Sequence, residues 1–170
     1  ESDPIRERIM TGDLLYNVSW RKGSADKIAL FGVFDTNGDG IDDIQTVIRD
    51  LRQMGIVVSA YYNLEQRKWL NPETGRATRP TEQLVYAVQG AYPAPFSGDS
   101  LADARGEITK LLDIAKTEAR EKGVKVVKSR DYFPRIGYEM QHDVADDRIN
   151  QAYARYLRGT TEPSQEDPGR

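Results

Sequence analysis

The fold class that this sequence predicts is a single α/β layered domain, with a mixed sheet of about four or five strands flanked by helices. Three observations predict it. Ile28 to Phe34 is an almost continuous apolar run, the pattern of a strand covered on both faces. Ile44, Val47, Ile48, Leu51 and Met54 then repeat at helical spacing, with Gly55 placed to end the helix. Ile56 to Tyr62 is a second apolar run. Ile28 to Tyr62 therefore reads as a strand–helix–strand unit, with parallel strands and a right-handed crossover.

The remaining elements follow in order. Residues 1–12 are polar and read as an N-terminal extension, and the domain itself spans 13–159. Leu14, Tyr16, Val18 and Trp20 alternate with Leu15, Asn17 and Ser19, a period-2 strand expected to form a hairpin with the Ile28 strand. Asn71-Pro72-Glu73-Thr74-Gly75 is a turn between Arg67–Leu70 and Arg76–Thr78, a small hairpin. Pro80 to Gln89 reads as a short helix with Leu84, Val85 and Val88 on one side. Ser100 and Asp103 are spaced like a capping box, and the helix they open carries Leu101, Ala104, Ile108, Leu111, Leu112, Ala115 and Ala119 on one face until Gly123. Val124, Val126 and Val127 form a third core strand. Residues 129–142 are irregular and aromatic, and a last helix starts near Asp143 and stops at Gly159. Residues 160–170 are polar with two prolines and read as a disordered tail.

Composition narrows the functional classes. A chain of 170 residues buries roughly 70% of its unfolded surface and needs no covalent staple. It has no cysteine, which excludes disulfides, thiolate catalysis, Cys-type zinc sites and iron–sulfur clusters. The net charge of −3, from 24 basic and 27 acidic residues, argues against a nucleic-acid partner. No run approaches the roughly 20 apolar residues of a membrane span, and no signal-peptide pattern opens the sequence.

The segment richest in chemistry is Asp35-Thr36-Asn37-Gly38-Asp39-Gly40-Ile41-Asp42-Asp43, between the first apolar strand and its helix. Asp35, Asn37 and Asp39 stand two apart, so a tight loop turns their side-chain oxygens toward one point. Gly40 allows the sharp turn that such a loop needs at its sixth position, and Ile41 offers a carbonyl at the seventh. Asp43 supplies a further carboxylate. All of these donors are hard oxygens, which suit calcium first and magnesium or manganese second. There is a competing account: Asn-Gly and Asp-Gly favour turns, and Asp42 and Asp43 suit a helix N-terminus. Four carboxylates within nine residues repel one another, and a loop serving only as a turn has no use for them.

This run resembles known calcium loops. Asp-x-Asn-x-Asp-Gly is similar to the first half of an EF-hand loop, and the full run resembles the loops of thrombospondin type 3 and FG-GAP repeats. The resemblance covers about ten residues. It implies Asp35, Asn37, Asp39, the Ile41 carbonyl and Asp43 as calcium ligands. The sequence departs from the EF-hand at the twelfth position, where Thr46 replaces the bidentate glutamate, and the isoleucine sits at the seventh position instead of the eighth. The loop region 35–46 is therefore no standard EF-hand, and a last ligand would come from Asp42, Asp43, Asp50, water or a distant residue.

Two function classes follow. In the first, calcium clamps the strand-to-helix loop of a structural or interaction module. That implies a calcium-rich, extracytoplasmic or secreted setting and a protein or glycan partner. Asn17-Val18-Ser19, a glycosylation acceptor triplet, is compatible with export. In the second, the order of elements resembles NYN/PIN-like nucleases, and a magnesium ion at Asp35 would serve phosphodiester hydrolysis together with Asp143, Asp146 and Asp147. That family's last acidic strand has no counterpart after Leu157. A fainter resemblance is to the metal-dependent adhesion site of von Willebrand A domains, with Asn37 and Asp39 replacing its serines.

Other residues are weighed against plainer roles. His142, the only histidine, could act as a base or ligand beside Asp143, but Asp143 capping the last helix accounts for the same residues. Arg67, Lys68, Trp69, Arg76 and Arg79 could form a basic, aromatic contact surface. Tyr61, Tyr62, Tyr86 and Tyr92 could line a groove or sit half-buried in the core. No phosphate-binding glycine loop or nucleophile elbow occurs.

Overall fold

Among the described residues, Lys27–Phe31 forms β1, the middle strand of a five-stranded sheet. The structure is a computed structural model, and it describes residues 26–39, 41–93, 102–138 and 153. In chain order, α1 is Ile44–Gln53, β2 Val57–Asn63, β3 Lys68–Leu70, β4 Tyr86–Gln89, α2 Ala102–Glu121, β5 Lys125–Lys128 and α3 Ser129–Tyr132, followed by a 3₁₀ turn at Pro134–Ile136. β2, β1, β4 and β5 are mutually parallel, and β3 is antiparallel to β2, so the sheet is mixed. The chain is the α/β domain that its periodicity predicts. The N-terminal hairpin strand, Gly40, the loop at 94–100, the helix from Asp143 and the tail lie outside the described residues.

Helices cover both faces of the sheet, which explains why Ile28 to Phe31 is apolar throughout. Ile28 and Leu30 face α1 and α3, packing with Val47, Leu51, Val58, Val88 and Phe133. Ala29 and Phe31 face α2, packing with Ala60, Tyr62, Trp69, Ala87 and Leu112. In the strand register Ala29 stands between Ala60 and Ala87. Three small side chains thus form a flat row across the central strands beneath α2, where Ala115 and Ala119 are also fully buried. Small residues on both surfaces let helix and sheet approach closely.

Helix ends follow their glycines. Gly55 (φ +82°) and Gly123 (φ +73°) take the left-handed conformation just past α1 and α2, as their positions in sequence predict.

Pro80 to Gln89 is not a helix. Thr81 to Leu84 forms a turn, closed by the Leu84 amide donating to the Thr81 carbonyl at 3.1 Å, and Tyr86–Gln89 is β4. The segment's apolar residues fit either period because the run is so short. Pairing settles it: Ala87 stands between Ala29 of β1 and Val126 of β5, inside a sheet that needs a strand there. Val124 to Val127 is a strand as expected, but β5 is the outer strand of the described sheet and its valines are only half-buried. The hairpin around Asn71–Gly75 forms through a single bridge, Leu70 to Ala77.

Burial also sets a pH limit. Tyr132 packs against Tyr86, ring centroids 5.4 Å apart. Loss of solvation, followed by the nearby charge of Asp26 and then Tyr86, pushes its phenol from 10.0 up to about 12. Burial and the carboxylate of Asp50 push Tyr138 to about 12 as well. The folded state favours the neutral phenols, so their stabilisation is full below the unfolded value near 10 and is lost as pH rises toward 12. Tyrosinate absorbance followed alongside circular dichroism should show these two rings ionising together with loss of structure in that window. Their ionisation near pH 10 in a fully folded protein would contradict it.

Candidate functional site

The acidic loop begins where β1 ends. Gly32 (φ +96°) turns the chain, and Val33 forms an antiparallel bridge to Ala91 beyond β4. Backbones approach so closely here that a Cβ on Gly90 would lie 2.4 Å from the Val33 carbonyl oxygen. This stitch sits at the topological switch of the sheet, where the chain passes from β2 on one side of β1 to β4 on the other. The carboxyl ends of β1 and β4 are thereby tied together, and Phe34 and Asp35 are delivered on a rigid base.

Within the loop, side-chain oxygens accept from nearby amides. Asp35, only 2% exposed, accepts through Oδ1 from the Gly38 amide at 2.7 Å. Asn37 Oδ1 accepts from the Asp39 amide at 2.8 Å, and Asp39 Oδ1 from the Ile41 amide at 2.7 Å. The last two are successive Asx turns, in which the side chain replaces a backbone carbonyl and curls the chain tightly, and the Asp35 bond reaches one residue further. Gly38 takes φ +77° at the bend. The spacing of two seen in the sequence is the spacing of these turns.

The far end of the loop is clasped to its start. The Asp43 amide donates to the Phe34 carbonyl at 2.7 Å, and Asp42 Oδ1 accepts from the Phe34 amide at 3.0 Å. Asp42 Oδ1 also accepts from the Ile44 amide at 3.2 Å, which satisfies one of the open donors at the start of α1. Asp43 Oδ2 accepts from both the amide and the hydroxyl of Thr36, at 3.0 and 2.7 Å.

Turn or capping chemistry is therefore present at Asp35, Asp39 and Asp42, while Asp43, the N-cap residue of α1, makes no side-chain cap and binds Thr36 instead. The five residues implied as ligands stand as follows. Asp35, Asn37 and Asp39 share one run of side-chain-to-amide bonds. Ile41 follows directly on it. Asp43 Oδ2 is directed at Thr36. Asn37 Nδ2 donates to Asp39 Oδ2 at 3.2 Å, a contact that bound cation would have to displace. Among the described residues, no three acidic or histidine side chains converge as a ready metal cluster. The donor set fits calcium by its chemistry, since every group is a carboxylate, amide or carbonyl oxygen. Asp50, a candidate last ligand, is bound to Arg49 at 3.2 Å and accepts from the Tyr138 hydroxyl at 3.5 Å.

Other candidates sort differently. Trp69 does not belong to an exposed basic surface: it is buried beside Tyr62 and Phe31, and its indole N–H donates to Glu118 of α2 at 2.7 Å. The four tyrosines do not share a groove. Tyr62 and Tyr92 pack on the α2 side of the sheet, and Tyr61 and Tyr86 on the α1 side. His142, Asp143, Asp146 and Asp147 lie outside the described residues. A cleft of about 450 Å³ between β5 and the 3₁₀ turn went unread in the sequence, although its residues include the aromatic stretch after Ser129. No helix among the described residues is long and apolar enough to cross a membrane. No family model, curated protein or solved structure matches this chain.

Proposed function

We propose that the loop from Asp35 to Asp43 binds a divalent cation, calcium first, and that the domain is a calcium-clamped structural or interaction module. The observation that carries this reading is the run of side-chain-to-amide bonds at Asp35, Asn37 and Asp39, the last two Asx turns, which curls three oxygen-bearing side chains around one short bend. The ligands would be Asp35, Asn37, Asp39, the Ile41 carbonyl and Asp43. Calcium tolerates irregular oxygen geometry, whereas magnesium demands near-ideal octahedra and sheds water reluctantly. The reading extends to an extracytoplasmic setting, where calcium is abundant, and to a protein or glycan partner.

Thermal melting in EDTA, calcium and magnesium tests it. At a calcium concentration 100-fold above Kd, stabilisation should reach about 2.7 kcal/mol, a rise of roughly 5–10 °C in Tm for a chain of this size. Asp39→Asn keeps an oxygen for the Ile41 amide but removes a charge, so it should fold normally and lose most of the calcium-dependent rise. Identical melting curves in all three conditions would sink the proposal.

A second reading has one observation in its favour: Asp35 is a buried carboxylate at the carboxyl end of a central parallel strand, beside the switch point. It is a magnesium- or manganese-dependent phosphodiesterase of NYN/PIN-like type, completed by Asp143, Asp146 and Asp147. The Val33–Ala91 bridge weighs against it, because it ties together the strand ends between which a substrate would enter. Metal-dependent cleavage of single-stranded RNA or DNA that is lost in Asp35→Asn would favour it over the first.

A further inference from the structure

The cleft between β5 and the Pro134–Ile136 turn is built from groups with no part in the acidic loop. Its volume is about 450 Å³, within the range of small-molecule sites. Lys125 of β5 and Arg135 of the 3₁₀ turn bring cations to its lining and Asp131 of α3 a carboxylate; Lys128 also borders it, but three residues along the strand from Lys125 its side chain belongs to the α2 face. Two cations against one carboxylate leave the lining at +1, in a molecule whose net charge is −3, with Asp26 acting on Tyr132 from beyond the lining. Among the described residues, none of these four side chains is in an ion pair; the ion pairs there join Arg49 to Asp50, Arg52 to Glu73 and Arg67 to Glu107. A concave wall focuses such a field on whatever enters.

The other wall is aromatic and apolar. Tyr86 of β4 stands opposite Lys125 in the strand register, half-buried and facing the cleft. Behind it Tyr132 is buried, its ring at 57° to that of Tyr86, and Ile136 completes the surface. Tyr132 in turn packs on Phe133, ring centroids 6.1 Å apart, and both are buried. A flat ring can lie against Tyr86 while a negatively charged group reaches Lys125 and Arg135.

We propose that this cleft is a binding site for a small phosphate monoester that carries a flat ring, its phosphate drawn by Lys125 and Arg135. Arg135, with its forked donors, and Lys125 hold the phosphate, and Tyr86 holds the ring. The site is independent of cation binding at Asp35–Asp43, on a different element and from different residues.

Calorimetric titration of the whole chain with phenyl phosphate, AMP, adenosine and inorganic phosphate tests this. Phenyl phosphate or AMP should bind more tightly than either adenosine or inorganic phosphate, and affinity should fall as salt is raised. Arg135→Ala and Lys125→Ala, both exposed and checked by melting for intact folding, should each weaken binding about ten-fold. Lys110→Ala on α2 should leave it unchanged. Absence of binding by both ring phosphates overturns the site. So does inorganic phosphate binding as tightly as they do, or affinity unaffected by loss of Arg135 and Lys125.

Discussion

Gly90→Ala is expected to destabilise the protein by about 3 kcal/mol or more, at the upper end of overpacking costs. The added methyl would lie 2.4 Å from the Val33 carbonyl oxygen, 3.0 Å from its carbon and 3.1 Å from the Phe34 ring. The first two atoms are backbone, held by the reciprocal bonds between Val33 and Ala91, and cannot turn aside as a side-chain tip could. Relief requires the β1 and β4 ends to separate, which breaks the stitch and shifts the base from which Asp35 projects. Urea unfolding measures the loss. Gly106→Ala is the matched control: nothing lies within 4 Å of its added Cβ, and it sits inside α2. There the same substitution should stabilise by about 0.5–1 kcal/mol, because glycine is the poorer helix former. If both variants unfold alike, close backbone approach at the switch point is not what holds the two strand ends.

Phe133→Ala is expected to cost about 3–5 kcal/mol, in the range for emptying a buried aromatic position, and to lower Tm by roughly 6–20 °C. Phe133 is fully buried, with ring neighbours Tyr138 at 4.9 Å, Phe34 at 6.0 Å and Tyr132 at 6.1 Å. It therefore joins the root of the acidic loop to the wall of the basic cleft. Phe133→Leu, which keeps most of the volume, should recover much of the loss. A Phe133→Ala variant that melts within a degree or two of wild type would show that this aromatic cluster collapses freely around the missing ring.

How far the sequence could be read depended on whether the deciding contacts were local. The bend at 35–41 was legible because its side-chain-to-amide bonds join residues two or three apart, so spacing alone carried the information. α1 and α2 were legible for the same reason, through their apolar stripes and terminal glycines. β4 was not. Pro80 suits a helix start, and Leu84, Val85 and Val88 fit a helical face, while the partners that make the segment a strand lie about 40 to 60 residues away in β5 and β1. Trp69 was misjudged through its basic neighbours, because its burial is set by Phe31 and by Glu118 of α2. The basic cleft left almost no local trace, since it assembles Tyr86 with residues of 125–136.

The clasp between Phe34 and Asp42–Asp43 has a consequence for how this segment can be handled. Both ends of the loop are fastened by hydrogen bonds that involve Phe34 and the first residues before α1, outside the stretch 35–41. The stretch between them behaves as a cassette. Thr36 is bound to Asp43 and Asp35 is buried, so a foreign loop of similar length should be exchangeable for 37–41 while the sheet around it still folds, and lengthening it would add little closure cost. A lanthanide-binding or epitope segment grafted there would stand at the carboxyl edge of the central strand, presented by a socket that the host sequence already holds shut.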